Sequence, residues 1–165
     1  LHRTPGAARI ADAVAKSQPS RRRVAVEASS SRRTPRIYRE IRVDGAKFWT
    51  LFDSGARGTY VTRAVADQTG FGRLKRPTRT AIGGRRFKIT KACTLIGEVE
   101  GYGIVASALV VDDLFKDEQG RPIDVLLGME TMETWGIGLD TKHKRLDFTH
   151  YTKTFYEGTG APDGG

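Results

Sequence analysis

The sequence holds one cysteine, Cys93, and three histidines among 165 residues. A lone thiol excludes an internal disulfide framework and any multi-cysteine zinc site, and it leaves the redox compartment open. Long apolar runs are missing as well. The longest, such as 104–111 and 125–127, fall far short of the roughly 18 residues that a membrane helix requires, so no spanning segment is expected. Aromatic residues are sparse at 8%; with 38% apolar residues, 28% charged residues and a mean hydropathy of −0.43, the composition is that of a soluble globular chain with modest core material. The length suits one domain. No secretory apolar region stands ahead of the folded part, and a first residue of Leu1 rather than Met reads as a processed form or a piece of a larger precursor.

Positive charge is in excess, +9 at neutral pH. Residues 1–34 carry eight Lys or Arg against Asp12 and Glu27, net +6, and the remaining 131 residues carry +3, so the basicity reads as a property of the arm. Arg21-Arg22-Arg23 and Arg32-Arg33 stand among Ser, Ala and Pro, a composition that cannot bury enough apolar surface to offset chain entropy. The chain therefore divides into a basic, disordered arm or linker at 1–34, a folded domain at 35–150, and a flexible tail at 151–165 that tapers into Gly, Pro and Asp. Nucleic-acid contact is not expected except through the arm. Val24 to Val26, among arginines, marks either a cleavage site or an interface strand.

From Thr34 onward the texture becomes short β-rich segments separated by turn residues. Asp44-Gly45 between 36–43 and 46–52 is a strong hairpin signal, and it leads directly into Asp53. Thr62 is placed to cap a short helix over 62–68, which Gly70 ends. Gly83-Gly84 predicts a second hairpin between 78–82 and 85–91. Strands follow at 93–99 and 103–111, joined around Gly101 to Gly103. A polar loop at 115–122 precedes a buried strand at 123–127, apolar apart from Asp124; a helix at 129–135 and a closing hairpin of 136–140 with 144–149 complete the domain. This spacing, with only two short helices, predicts an all-β barrel or sandwich.

The segment that carries chemistry is Leu51-Phe52-Asp53-Ser54-Gly55-Ala56. An apolar strand ending in a carboxylate is costly unless the carboxylate has work or partners, and Asp at a strand end can equally serve as a turn former. Ser54 and Gly55 let the chain turn tightly, bring backbone N–H groups near the carboxylate, and leave room for another chain to approach.

Asp53 to Ala56 after two apolar residues resembles the active-site motif of aspartic proteases, in the single-copy form of retroviral-type enzymes, the retropepsins. Ala81-Ile82-Gly83-Gly84 stands where that family has its glycine-rich flap, Leu126-Leu127-Gly128 resembles its apolar-apolar-Gly segment, 129–135 its short C-terminal helix, and Leu146-Asp147-Phe148 its last strand. The resemblance implies an all-β, closed barrel-like protease half with a flap hairpin and one or two short helices, active as a C2 homodimer. It implies an endopeptidase that uses a water activated between two copies of Asp53 and no cofactor. No second Asp-Thr-Gly or Asp-Ser-Gly exists in the chain, so one copy supplies half a dyad. By the same resemblance Ser54 bonds across the dimer axis, Gly55 offers its carbonyl to substrate, Ala56 keeps the floor small, and Gly83-Gly84 form the flap tip, with Ile82 and Tyr60 as candidate apolar subsites. The partners implied are a second copy of the chain and a peptide or protein substrate.

Two departures stand out. Many retroviral members carry an acidic residue just after the motif and an Arg after the later Gly; here Arg57 follows the motif and Met129-Glu130 follow Gly128, as if the charges were exchanged. Arg57 and Glu130 are expected either to pair and support the loop or to remain solvated. Arg85-Arg86 also makes the flap more polar than in viral members.

Other readings fail on context or are weaker. Ser54 lacks a nucleophile elbow and a placed histidine. His143, Asp147 and His150 lie close in sequence but do not form a closed metal set, so no metal is expected. Cys93, Trp49, Trp135, Met129 and Met132 read as core, and Gly158 to Gly160 lacks the strand-to-helix context of a phosphate loop. The alternative function is a catalytically silent dimerisation or peptide-binding module on the same fold.

Overall fold

The computed structural model describes residues 34–151. The readings made for most of the arm and tail, including Val24 to Val26 and Gly158 to Gly160, lie outside the described residues. β1 (Ile37–Val43) and β2 (Ala46–Phe52) pair antiparallel around Asp44-Gly45. Both turn residues have positive φ, 46° and 80°, the backbone twist that suits a two-residue hairpin. β3 (Thr59–Thr62) runs directly into α1 (Arg63–Thr69). β4 (Gly72–Ile82) and β5 (Arg85–Val99) form a long hairpin whose turn, Gly83-Gly84, again has both φ angles positive. β6 (Tyr102–Val111) returns along β5, β7 (Val125–Leu127) is short and buried, α2 (Met129–Trp135) follows at once, and β8 (Gly138–Asp140) pairs with β9 (Arg145–Asp147).

The main sheet has the order β1-β2-β7-β3-β6-β5-β4, and Arg42 of β1 also pairs with Glu98 of β5. That pairing closes a six-stranded ring, and β4 flanks it on the outside of β5. Closure leaves few free strand edges. β7 lies between β2, which it parallels, and β3, which it opposes. Both of its faces are covered, and its sequence is apolar without alternation for that reason: Val125 and Leu127 enter a larger apolar cluster with Ile37, Ile41, Phe52 and Leu95, while Leu126 enters a second cluster with Leu51, Ile82, Ile89 and Ile123. Asp124 is accommodated because its carboxylate accepts from Trp49 N at 2.8 Å while its carbonyl accepts from Thr62 N.

Several sequence expectations are corrected. β4 begins at Gly72, six residues before the expected start, with an irregularity in register between Arg73 and Thr78; Lys75-Arg76-Pro77 hides the strand pattern. The segments 85–91 and 93–99 are one strand. β3 was not anticipated. The β5–β6 turn is Glu100-Gly101, with Glu100 at φ 49°, one residue ahead of the expected Gly101 to Gly103. Thr62 occupies the N-cap position of α1 with extended backbone, but its hydroxyl makes no capping bond and is buried without a partner. Met129 is 38% exposed rather than core, whereas Met132 and Cys93 are buried. Tyr151, assigned to the tail, is anchored: its hydroxyl donates to Gly103 O at 2.7 Å and its ring packs on Tyr102.

The expected polar loop at 115–122 is pinned rather than loose. Asp117 accepts from the backbone N–H groups of Gln119 and Arg121 and from Trp49 Nε1. Burial raises the pKa of its carboxyl, but these donors outweigh that and hold it below its ordinary value. In the β8–β9 turn His143 and Arg145 both bond Asp140, whose pKa is lowered to about 2, chiefly by the His143 contact.

Candidate active site

β2 delivers Asp53 at the point where it leaves the sheet. Asp53 N still donates to Leu127 O at 3.0 Å, continuing the β2–β7 ladder by one rung. The chain then turns sharply. Gly55 N donates to Asp53 Oδ1 at 2.8 Å, and Ala56 N donates to Asp53 O at 3.2 Å. One carboxylate oxygen is thus fixed from within its own loop, while Oδ2 has no partner among the described residues. The side chain is half-buried; Ser54 and Gly55 beside it are exposed, and the Ser54 hydroxyl has no partner among the described residues.

The loop is tied to the start of α2. The first N–H groups of a helix have no intrahelical acceptor. Here Met129 N donates to Ala56 O at 2.7 Å and Glu130 N to Arg57 O at 3.1 Å, so the orphan donors of α2 hold the carbonyls of the Asp53 loop. Gly128 makes this approach possible: a Cβ at that position would lie 2.1 Å from Gly58 O. Behind the loop, Gly128 N donates to Thr59 Oγ1 at 3.2 Å, and Thr59 Oγ1 meets Thr131 Oγ1 at 2.8 Å, both side chains being buried. The sequence reading overlooked this hydroxyl pair. A threonine at the start of a strand and one inside a helix carry no local mark of their meeting.

Arg57 Nε donates to Glu130 Oε1 at 2.6 Å through a single nitrogen rather than a fork. This contact raises the Arg57 pKa, but both side chains are largely solvated, 90% and 59% exposed, so the pair holds the loop far less than the backbone bonds do.

A hollow of about 790 Å³ opens at Asp53. Asp53, Ser54 and Gly55 form one wall, and Phe52, Met129 and Leu139 are among the apolar residues around it. The tip of the β4–β5 hairpin lies elsewhere in this arrangement and does not line that hollow. Ile82 is 6% exposed in the second apolar cluster, Tyr60 packs on the same cluster with its hydroxyl bonded to Thr80 Oγ1 at 3.0 Å, and Gly83 sits against the Phe115 ring, where a Cβ would come within 2.7 Å. Gly84 is open to solvent. Leu126 and Leu127 are fully buried and act on the site through the sheet.

Arg85 fastens the tip by donating through Nη1 and Nη2 to Asp113 at 3.1 and 3.0 Å. The Arg85 contact holds the Asp113 carboxyl below its ordinary 3.8. A depressed carboxyl contributes above its unfolded pKa, and the contribution is lost as pH falls through the folded one, so this fastening is expected to be complete at neutral pH and to open only below the ordinary 3.8. Hydrogen exchange at Ile82 and Arg85, the ladder pair that closes the turn, should accelerate at neutral pH in Asp113→Asn and, in the wild type, only once the pH falls below the ordinary 3.8 of Asp113.

Among the described residues no group of three or more His, Cys, Asp or Glu side chains is arranged to hold a metal ion; His143 bonds Asp140 instead of joining Asp147 and His150. No helix among the described residues is long and apolar enough to cross a membrane.

A closed six-stranded barrel presenting an Asp-Ser-Gly-Ala loop is the retropepsin-like arrangement. A family model described as aspartyl protease matches residues 40–131. The DNA damage-inducible protein 1 of Neurospora crassa is 30% identical, and that of Chaetomium globosum 28% identical, over 112 residues, which is 67% of this chain. The chain spans 24% of the length of those curated relatives. Among solved structures, the retroviral protease-like domain of Ddi1 from Leishmania major superposes with a TM-score of 0.50 at 16% identity, covering 70% of this chain and 90% of that one. This chain belongs to the aspartyl protease family, as a retropepsin-like member.

Proposed function

We propose that the chain is an aspartic endopeptidase whose active form is a C2 homodimer, with the Asp53 carboxyls of the two copies forming the catalytic dyad. One observation carries this reading: Asp53 stands at the end of β2 on a loop held by four backbone–backbone hydrogen bonds, with one carboxylate oxygen fixed by Gly55 N–H and the other without a partner among the described residues. A side chain built only to make a turn gains nothing from being held at the mouth of a hollow.

The chemistry follows from pairing two such groups. Carboxyls about 3 Å apart cannot both ionise readily, so they share one proton. The ionised member takes a proton from a water lying between them, and the protonated member donates toward the carbonyl oxygen of the scissile bond. The oxygen of that water bonds to the carbonyl carbon to give a tetrahedral diol; as the C–N bond breaks, the amine takes a proton from one carboxyl while a hydroxyl of the diol gives one to the other, which restores the singly protonated pair. Titration belongs to the pair, and an acidic to mildly acidic optimum is expected because the singly protonated form must be populated. In this reading the apolar surround of the hollow, with exposed Met129, receives the second copy, Ser54 bonds across the axis, and the β4–β5 hairpin is the flap that covers an extended peptide. Release of the Gly83-Gly84 tip from Phe115 would let it close over substrate.

Cleavage of a peptide library across pH, with sedimentation on the same samples, tests the proposal. Cleavage with an acidic optimum by a dimeric species is expected. Peptide binding without cleavage at any pH would favour the silent module instead.

A further inference from the structure

The β4–β5 hairpin concentrates positive charge in a way the net count conceals. Residues 72–91 contain Arg73, Lys75, Arg76, Arg79, Arg85, Arg86, Lys88 and Lys91 and no acidic residue. The rest of the described residues carry eleven Lys or Arg against fifteen Asp or Glu, so the body around the hairpin is acidic. Pairing differs just as sharply. Elsewhere Arg36, Arg39, Lys47, Arg57, Arg63, Arg121 and Arg145 each hold an ion pair, whereas on the hairpin only Arg85 does.

Register sorts these cations by face. Ile82, Thr80 and Thr78 oppose Arg85, Phe87 and Ile89, and this side, with Ile82 and Ile89 buried, packs on the barrel. Ala81 opposes Arg86 and Arg79 opposes Lys88, and all four are exposed on the other side. One like-charged pair, Arg79 with Lys88, therefore stands directly across on the outer side; a second, Arg73 with Lys91, lies beyond the register irregularity, with Lys91 on the side of Phe87 and Ile89 and its Nζ over the Phe71 ring. Such pairs weaken a hairpin, so the sequence accepts a local cost to keep charge there. Lys88 and Arg86 are alternate residues of one strand, roughly 7 Å apart, the spacing at which an extended polypeptide presents alternate side chains of its own.

We infer that the outer face of the β4–β5 hairpin, carrying Arg79, Arg86 and Lys88, is an exosite for an acidic, extended stretch of polypeptide. Its role in turnover rests on the endopeptidase reading: the acidic stretch lies in the substrate outside the segment that is cut, and docking it raises the local concentration of the scissile bond. A polypeptide suits the face better than a nucleic acid does. Two aromatic rings border these cations, but each is capped by a cation of this chain, Phe71 by Lys91 and Phe87 by Arg85, rather than left open to stack a base, and the acidic body beyond the hairpin repels a longer polyanion.

The test uses the full chain at low ionic strength, where exposed charges are least screened. In the Asp53→Asn background, binding of a labelled oligoglutamate is compared among the parent, Arg79→Gln/Arg86→Gln/Lys88→Gln, and Arg21→Gln/Arg22→Gln/Arg23→Gln, which removes the same charge from the arm. The hairpin variant is expected to lose about tenfold or more in affinity and the arm variant only a small fraction of that, while the hairpin variant's thermal midpoint does not fall. Equal losses in the two variants would overturn the exosite, and so would single-stranded RNA that binds the parent more tightly than oligoglutamate and loses more in the hairpin variant. With the active chain, a glutamate stretch placed outside the cut segment should lower KM about tenfold at constant kcat, and the hairpin substitutions should erase that gain. If no peptide is cut at all, the endopeptidase reading fails while the binding comparison still decides the exosite.

Discussion

Asp53→Asn is expected to lower peptide cleavage by two to four orders of magnitude, about the contribution of general acid–base groups, and to leave fold and association intact. Asparagine has nearly the shape of aspartate, and its side-chain oxygen can still accept from Gly55 N, which Asp53 Oδ1 does at 2.8 Å. The loop bonds from Asp53 N to Leu127 O and from Ala56 N to Asp53 O involve backbone only and survive the change. What is lost is a group that can exchange a proton near working pH. Kinetics on a cleaved peptide, with circular dichroism and sedimentation as controls, make the check. A variant that cuts as fast as the parent would show that the carboxylate serves the turn and not the reaction.

Gly128→Ala is expected to be among the most damaging single substitutions. The added Cβ would lie 2.1 Å from Gly58 O, 2.6 Å from Gly58 C and 2.7 Å from Arg57 O, all backbone atoms that cannot rotate away. Relief requires the Asp53 loop to part from the start of α2, which breaks the bonds Met129 N to Ala56 O and Glu130 N to Arg57 O. Overpacking commonly costs about 1–3 kcal/mol, and a clash confined to backbone belongs at or beyond the upper end. Against a total stability of about 5–15 kcal/mol that leaves a marginal fold. Gly72→Ala is the control, because nothing lies within 4 Å of its Cβ position and its φ is not left-handed. Denaturant titration of the two variants should show a large loss at 128 and almost none at 72.

Local chemistry made part of the molecule legible in advance. Asp44-Gly45 and Gly83-Gly84 specify two-residue turns by their own backbone preferences, and the structure has them with positive φ at both positions. The apolar residues of β7 were recognisable as buried because they do not alternate. β3 was not, since four residues between Gly58 and a helix acquire strand geometry only from partners in β6 and β7 that are distant in sequence. Thr62 illustrates a similar limit: its position is that of a cap, but packing turns the hydroxyl inward. At the site, Asp53 and its followers announced themselves as a motif, whereas the Thr59–Thr131 contact joins residues 72 apart and has no local signature. Reading the surplus of charge as a property of the arm was incomplete for a comparable reason. A net +3 beyond the arm averages a hairpin without acids against a body rich in them.

The most direct measurement is subunit mixing between the wild type and Asp53→Asn at constant total protein, after exchange of partners. If each active site draws one Asp53 from each of two copies, an equal mixture retains only the wild-type homodimers, about one quarter of the activity of the same total amount of pure wild type. Activity falling to one half, in proportion to the wild-type chain present, would mean that a single copy is sufficient, and the shared dyad would have to be abandoned.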